Sequence, residues 1–560
     1  MALLHLTSLL RLAAAASLAV LSVSPGRLDA QAVTGAGDDA IPVSKGTVRI
    51  RIAGQWNDWD AVYADSAGSS SKRPLRSLVS QRPLGSMALP QLRGAETAIR
   101  DLAGASNFSL SLGTLEATGD VRQSTTPISI ELGVTRRLSV GVLVPYVESR
   151  DNTLLVLNRA GSGANVGANP AFSRTGGAGA RARNATVLRE IAAARTQLVV
   201  EISRCALATA TGCDAIRADP AAAQALLTRA LATQSALSAL YGDSLRGGSP
   251  LVPLSATLLG ESITGRIRVL RGLFESYGVR SIAETSLPIG ATTAYGPGTL
   301  AALAADSTLG LGYERLGNTR RSGIGDVDLS ASFLLFDTFG ADQRKRLTNS
   351  GRALRSIVSL GWRFGTAGAD RAEDAFDVPT GGGANALLLR STTDLVLSRR
   401  FWVSGSIRIA KPFADNRVVA LPLRTDSTIF AAFDVGSARQ TLGQQTEIEV
   451  APRVALGDFF GVSGAYLVRR VGESSLVANG LPSSNSMPSP LVTTADATLF
   501  QAASIGLSFS TLASYVRGRS RLPLEILYTH TMPVTGSGGI VPAVSTDRLE
   551  LRIYTAFPRR

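Results

Sequence analysis

Histidine and cysteine decide what chemistry this chain can do, because each occurs only twice in 560 residues. His5 lies in an apolar leader-like stretch, which leaves His530 as the one imidazole for catalysis. A serine or aspartate hydrolase needs a histidine and a residue to orient it. His530 falls near the outer end of a strand on its apolar parity, and no serine is expected on that face of the neighbouring strands. It reads as an interfacial histidine, so no catalytic residue is assigned and an enzyme is not expected. Two Cys and one usable His cannot build a four-cysteine or histidine-rich metal centre, and no metal or cofactor is expected. Cys205 and Cys213 enclose seven residues, and in an exported protein such a pair is expected as a disulfide.

The other residues with chemical potential are charged side chains that share one strand parity. Arg49, Arg51, Glu131, Asp326, Asp328, Arg363, Arg390, Asp394, Arg408, Glu447, Glu449, Arg453, Glu525, Arg548, Glu550 and Arg552 all alternate with aliphatic residues. Side chains on a strand point alternately to opposite faces, so these groups share a polar face too charged for a packed core. They are the candidate lumen-lining residues of a wet bore. Opposite signs facing one another form ladders that stiffen a narrow barrel, or a constriction that orients the polar head of a cargo.

The alternation itself predicts the elements that position them. Ile128, Ile130, Leu132 and Val134 share one face, with Ser129, Glu131 and Gly133 opposite; after Thr135-Arg136-Arg137, Leu138, Val140, Val142, Val144 and Tyr146 repeat the pattern. The same period recurs over 48–56, 325–336, 355–364, 387–397, 401–409, 446–456, 460–468, 503–509, 522–528 and 549–557, which makes twelve strands. Short polar links follow the even strands and longer ones follow most odd strands, the rhythm of an outer-membrane barrel with both termini inside. Trp56, Tyr146, Phe364, Phe401, Tyr466 and Phe557 lie toward strand ends on the apolar parity, as an interfacial girdle requires. The expected fold class is an all-β transmembrane protein: an antiparallel outer-membrane barrel of about 12 strands with a helical insertion in a long outer loop. A soluble sandwich shows the same alternation and is the competing arrangement.

Composition frames the organisation. Hydrophobic residues are 45% of the chain, so wholesale disorder is excluded. Residues 1–32 read as a signal peptide: Leu12 to Val23 is apolar, Pro25 and Gly26 break it, and Ala30-Gln31-Ala32 offers the small-x-small cleavage pattern. That run of about a dozen residues is short of the roughly 20 needed for a helical span. Strands 1–3 with an outer loop over 65–106 occupy 33–150, a helix-rich insertion 151–322, and strands 4–12 residues 323–560. Of 57 cations only Lys45, Lys72, Lys345 and Lys411 are lysine; the cations are dispersed, and no nucleic-acid partner is expected.

Within the insertion, Arg150 to Arg181 reads as flexible, and Asn184 to Ala208 turns helical through Leu188, Ile191, Leu198, Ile202 and Cys205. Asp219 and Pro220 supply a helix cap and first position for a helix to Tyr241, with Leu226, Leu227, Leu231 and Leu237 on its apolar side. Glu261 to Tyr277 is a third amphipathic stretch, and Leu92 to Leu102 is a further helical candidate in the shorter loop. A cap over the mouth, a plug in the lumen and a projecting binding module all stay open for this insertion.

The segments 133–146 (GVTRRLSVGVLVPY) and 323–330 (GIGDVDLS) resemble the outer-membrane transporter-like barrels of the phenol-degradation meta-pathway family, distant relatives of the long-chain fatty-acid transporter. The resemblance covers mainly 125–148, 323–366 and the carboxyl-terminal strands, and supplies no catalytic residues. It implies an outer-membrane channel passing small hydrophobic or aromatic compounds. The partners expected are outer-membrane lipid, the small hydrophobic molecule, and the barrel-assembly machinery through a last strand ending at Phe557, all in a Gram-negative-type cell. A structural or adhesive surface barrel whose helical loop binds a partner is the alternative function.

Overall fold

The computed structural model describes residues 40–555 apart from 67–68, 79, 81–82, 88, 90–91, 160–162, 174, 208, 244–246, 298–299, 301–316, 341–342, 369–375, 423–432 and 479–491. The leader with its cleavage near Ala32, and Phe557, lie outside the described residues. The period-two segments form β1 (Val48–Trp59), β2 (Leu115–Gly133), β3 (Leu138–Leu157), β4 (Val327–Asp337), β5 (Ala353–Phe364) and β6 (Ala386–Val396). They continue as β7 (Phe401–Pro412), β8 (Gln445–Ala455), β9 (Phe460–Val471), β10 (Thr498–Ser510), β11 (Leu524–Ser537) and β12 (Ser545–Thr555). Thr319–Ile324 is the detached outer half of β4, and it pairs with β3 beyond a break at Gly325–Asp326. Each strand pairs antiparallel with its sequence neighbour, and β12 returns to β1 with Ile52 opposite Leu551, closing a barrel of 12 strands with no open edge.

Closure separates the two parities as the alternation requires. Ile130, Leu360 and Ile505 stand exposed on the outer surface, whereas Arg51, Glu447 and Glu550 are buried inside. In plain water that outer apolar band would be a single large unpaired patch; in lipid it is solvated by acyl chains. Trp56, Tyr146, Phe364, Phe401 and Tyr466 are all exposed on this face. No helix among the described residues is long and apolar enough to cross a membrane.

Two expectations about the insertion change. β3 runs on to Leu157, past the expected strand end at Glu148, and a short strand Val166–Ala168 pairs with Leu251–Pro253 inside the stretch expected to be flexible. The pairing follows from β2, whose 19 residues partner β3 through Leu115 to Leu157 and carry the ladder above the apolar band. The helices of the long connections are α1 (Arg93–Ala103), α2 (Ala178–Cys205), α3 (Asp214–Ala218), α4 (Pro220–Tyr241) and α5 (Leu258–Ser276), and two short ones, Gln343–Thr348 and Leu512–Val516, lie in the turns at the opposite end. Asp219 caps α4 by accepting the Ala222 amide at 2.8 Å, with Pro220 at the first helical position.

The insertion forms its own core. Ile99, Ile191, Leu198, Leu237, Ile267 and Phe274 pack with Leu115, Ala117 and Leu157 at the outer ends of β2 and β3. Leu231, expected in that core, is exposed instead. Ala194 and Ala230 occupy the buried positions, and side chains this small let α2 and α4 approach closely. Asn158, in the left-handed region at φ 57°, bonds the Leu112 and Tyr295 carbonyls and the Thr114 amide, tying strand ends to insertion.

Cys205 and Cys213 form the disulfide, with Cα atoms 5.4 Å apart. Closing a loop of this size restricts the unfolded chain by about 2–3 kcal/mol. A Cys213→Ser variant is expected to lower the helical domain's thermal midpoint in circular dichroism while leaving the barrel's heat-modified gel mobility unchanged. A parallel loss of barrel mobility would refute the independence of the two cores.

Candidate functional site

The bore owes its shape to which strands bring small residues inward. On β2 to β5 the inward parity carries Ser129, Ser139, Gly141, Ser330, Ser332, Ser359 and Gly361; on β1, β6, β7, β9 and β12 it carries Arg51, Arg390, Arg408, Arg469 and Arg552. Small side chains on one wall and long ones on the other leave a central cavity of about 220 Å³. Ile41, Pro42, Ile357 and Leu388 add apolar lining. Gly141, Ser330 and Gly361 are in direct register across three strands, which makes this the shallowest part of the wall.

The arginine wall is internally neutralised. Glu550 accepts Arg51 at 2.7 Å and Arg552 at 2.6 Å, and also pairs with Arg548. Glu131 accepts Arg49 at 2.5 Å and stands 3.6 Å from Arg51. Glu447 pairs with Arg408 and accepts Arg469 at 2.8 Å, while Glu449 lies 3.3 Å from Arg408. Arg363 grips Asp328 with two parallel bonds of 2.8 and 3.1 Å. Buried charges survive only when paired in this way, so these networks are first a condition for having a polar bore at all.

The structure places the sixteen parity-matched charges in three settings. Arg49, Arg51, Glu131, Asp328, Arg363, Arg390, Arg408, Glu447 and Arg552 line the central cavity, with Glu449, Arg548 and Glu550 bonded behind them. Arg453 and Glu525, with Arg552 again, line a second space of about 170 Å³ toward the short-turn end. Asp326 and Asp394 differ from the expectation: both are 0% exposed and have no surface left to face a bore. Each carboxylate instead fastens a piece of chain across the barrel.

At the turn end, Asp394 accepts Arg355 at 2.8 Å, Ser404 at 2.7 Å and the Ala40 amide at 2.9 Å. This holds residues 40–42 inside the wall, where Ile41 lines both spaces. The following residues pass so close to β2 that a Cβ on Gly133 would lie 2.0 Å from the Ser44 carbonyl oxygen. At the outer end, Asp326 accepts the Ala367 amide at 2.9 Å and the Gly383 amide at 3.0 Å. Pro379 to Ala384 are buried as a result, and Gly383 takes φ 61°, a conformation that favours glycine.

Arg76 stacks over Phe376 at 4.6 Å and pairs with Asp151, so the 65–106 connection clamps the infolded segment. Burial pushes the Asp151 carboxyl above its usual range, against the pull of the Arg76 guanidinium. The sequence reading missed both closures. It sought the plug in the long insertion, whereas the legible signal was the Gly381-Gly382-Gly383 run in the β5–β6 connection.

His530 bonds Asp547 through Nδ1 at 2.9 Å on the outer face, and Tyr528 donates to the same carboxylate at 2.7 Å. No serine joins this group among the described contacts. No cluster of three or more metal-ligating side chains occurs among the described residues.

No family model matches the chain, and no curated protein matches it. Among solved structures it is similar to the COG4313 outer membrane channel from Pseudomonas putida F1, at 8% identity and TM-score 0.37, covering 93% of this chain and 100% of that one. The P. putida toluene transporter TodX matches at 8% identity and TM-score 0.26, over 93% of both chains. A Pseudomonas aeruginosa FadL homologue matches at 8% identity and TM-score 0.26, over 96% of this chain and 98% of that one. At such values these likenesses carry no functional argument, and the barrel is read from this chain's own strand pairing.

Proposed function

We propose that the protein is a passive outer-membrane channel for small hydrophobic or aromatic compounds. The observation that carries this reading is the central cavity of about 220 Å³ inside a lipid-facing closed barrel. A space of that size suits one small molecule, below the roughly 300–1,000 Å³ common for larger ligand sites. Its lining is two-natured: Ile41, Pro42, Ile357 and Leu388 accept an apolar body, while Arg390 and Ser359 face a polar substituent. With chain folded across both ends, solutes pass by displacement of those segments rather than through a standing aqueous pore. Export by a leader cleaved near Ala32, and delivery to the barrel-assembly machinery by a last strand ending at Phe557, belong to the same proposal.

Proteoliposomes containing the full mature chain test it with radiolabelled monoaromatic compounds against a disaccharide of similar reach. Faster aromatic entry than in empty vesicles is expected, with the disaccharide excluded. Aromatic entry equal to that of empty vesicles, even after deletion of 184–241, would replace transport by an adhesive or scaffolding role for the helical insertion.

A further inference from the structure

The short turns at one end of the barrel carry a dense surplus of positive charge. The five short-turn segments 134–137, 338–352, 397–400, 456–459 and 511–523 together hold eleven Lys and Arg against two Asp. At the other end 365–385 holds four acids to one Arg and 472–497 two acids and no base, while the long insertion 158–318 is mixed, with fifteen Arg against ten acids. Asp458, one of the two turn acids, is engaged by Arg399 at 3.0 Å and Arg517 at 2.6 Å, and these guanidinium groups hold its carboxyl below the usual range. One carboxylate bonded to two guanidiniums leaves the rim strongly positive.

The height of these cations indicates what they meet. Arg136 and Arg137 follow exposed Val134, Arg399 and Arg400 lie between exposed Leu397 and Phe401, and Arg521 precedes exposed Leu522. Every one is within three residues of a side chain on the lipid-facing band, a reach of roughly 10 Å at the rise of a strand. That is the level of lipid headgroups. The tight turns 134–137 and 397–400 are too short to carry their arginines deep into the aqueous space beneath the bilayer, where an acidic polymer would be met.

We propose that this arginine rim binds anionic glycerophospholipid headgroups in the leaflet at the turn end, taking their phosphates in preference to zwitterionic lipid. Arg suits the role because its planar fork makes two parallel bonds to phosphate. The inference rests on the membrane placement argued above, and sets which lipids surround the barrel rather than what passes through it.

Native mass spectrometry of the full chain from mixed micelles, with phosphatidylglycerol and phosphatidylcholine offered equally, reads the preference directly. Wild type is expected to retain phosphatidylglycerol roughly tenfold or more over phosphatidylcholine, the preference falling with added salt. An Arg136→Gln, Arg137→Gln, Arg399→Gln, Arg400→Gln variant is expected to lose most of it, and the matching set of Lys substitutions, which keep the charge without the fork, to retain part of it. Equal retention of both lipids by wild type, or an undiminished preference in the Gln variant with normal heat-modified mobility, overturns the proposal. So does loss of binding to isolated peptidoglycan in the Gln variant with lipid preference intact, which would assign the rim to that polymer. A wild-type chain that stays monodisperse without detergent would fail the membrane reading itself, a different and separately visible result.

Discussion

Ser330→Trp is expected to stop transport while leaving the barrel folded. Ser330 is flanked in register by Gly141 on β3 and Gly361 on β5, and all three line the cavity. A tryptophan there meets no side chain at the two in-register positions and extends into the space of about 220 Å³. Because it grows into a void, it avoids most of the 1–3 kcal/mol usual for overpacking a filled core. Entry of monoaromatic compounds into proteoliposomes should fall about tenfold or more, equivalent to about 1.4 kcal/mol or more of added barrier. Phe336→Trp, on the outer face, serves as the control and should leave entry unchanged. Unaltered entry in Ser330→Trp would mean that solutes do not use this cavity.

Asp326→Ala is expected to open the outer end. The Asp326 carboxylate is the acceptor for the Ala367 and Gly383 amides, and it has no exposure to solvent. Without it, infolding leaves the buried Gly383 amide and the half-buried Ala367 amide unpaired, together costing about 3 kcal/mol, whereas in the outfolded segment both are hydrated. A differential of about 3 kcal/mol shifts the closed-to-open ratio roughly a hundredfold. Single-channel conductance in planar bilayers should rise from brief events to a standing open level, and segment 376–384 should become sensitive to added protease. Asp326→Asn keeps one acceptor and should fall between. A closed trace and protected segment in Asp326→Ala would show that Arg76 over Phe376, not the carboxylate, retains the segment.

These expectations divide unevenly between what alternation reveals and what it hides. Leu360, Ile505 and the charges near Arg51 and Glu447 were legible because a strand in contact with lipid on one face must repeat every two residues. The α4 cap at Asp219 and the Cys205–Cys213 bridge were legible because both are local, decided within a few residues. Leu231 was not, because helical spacing offers more apolar positions than the core takes, and the choice fell to how closely α2 and α4 approach.

The central question of closure was hidden for the same reason. Asp326 and Asp394 have the parity of any other bore residue, yet they are distinguished by chain arriving from 57 and 354 residues away, Gly383 and Ala40. By itself, the order of residues determined two-faced strands, the disulfide and the α4 cap, since each follows from local periodicity or covalent neighbourhood. Closure into a barrel rather than a sandwich was decided by the pairing of β12 with β1. Only the tertiary structure decided that chain folds across the bore and leaves a small central cavity, because that depends on which distant backbone amides find a buried carboxylate.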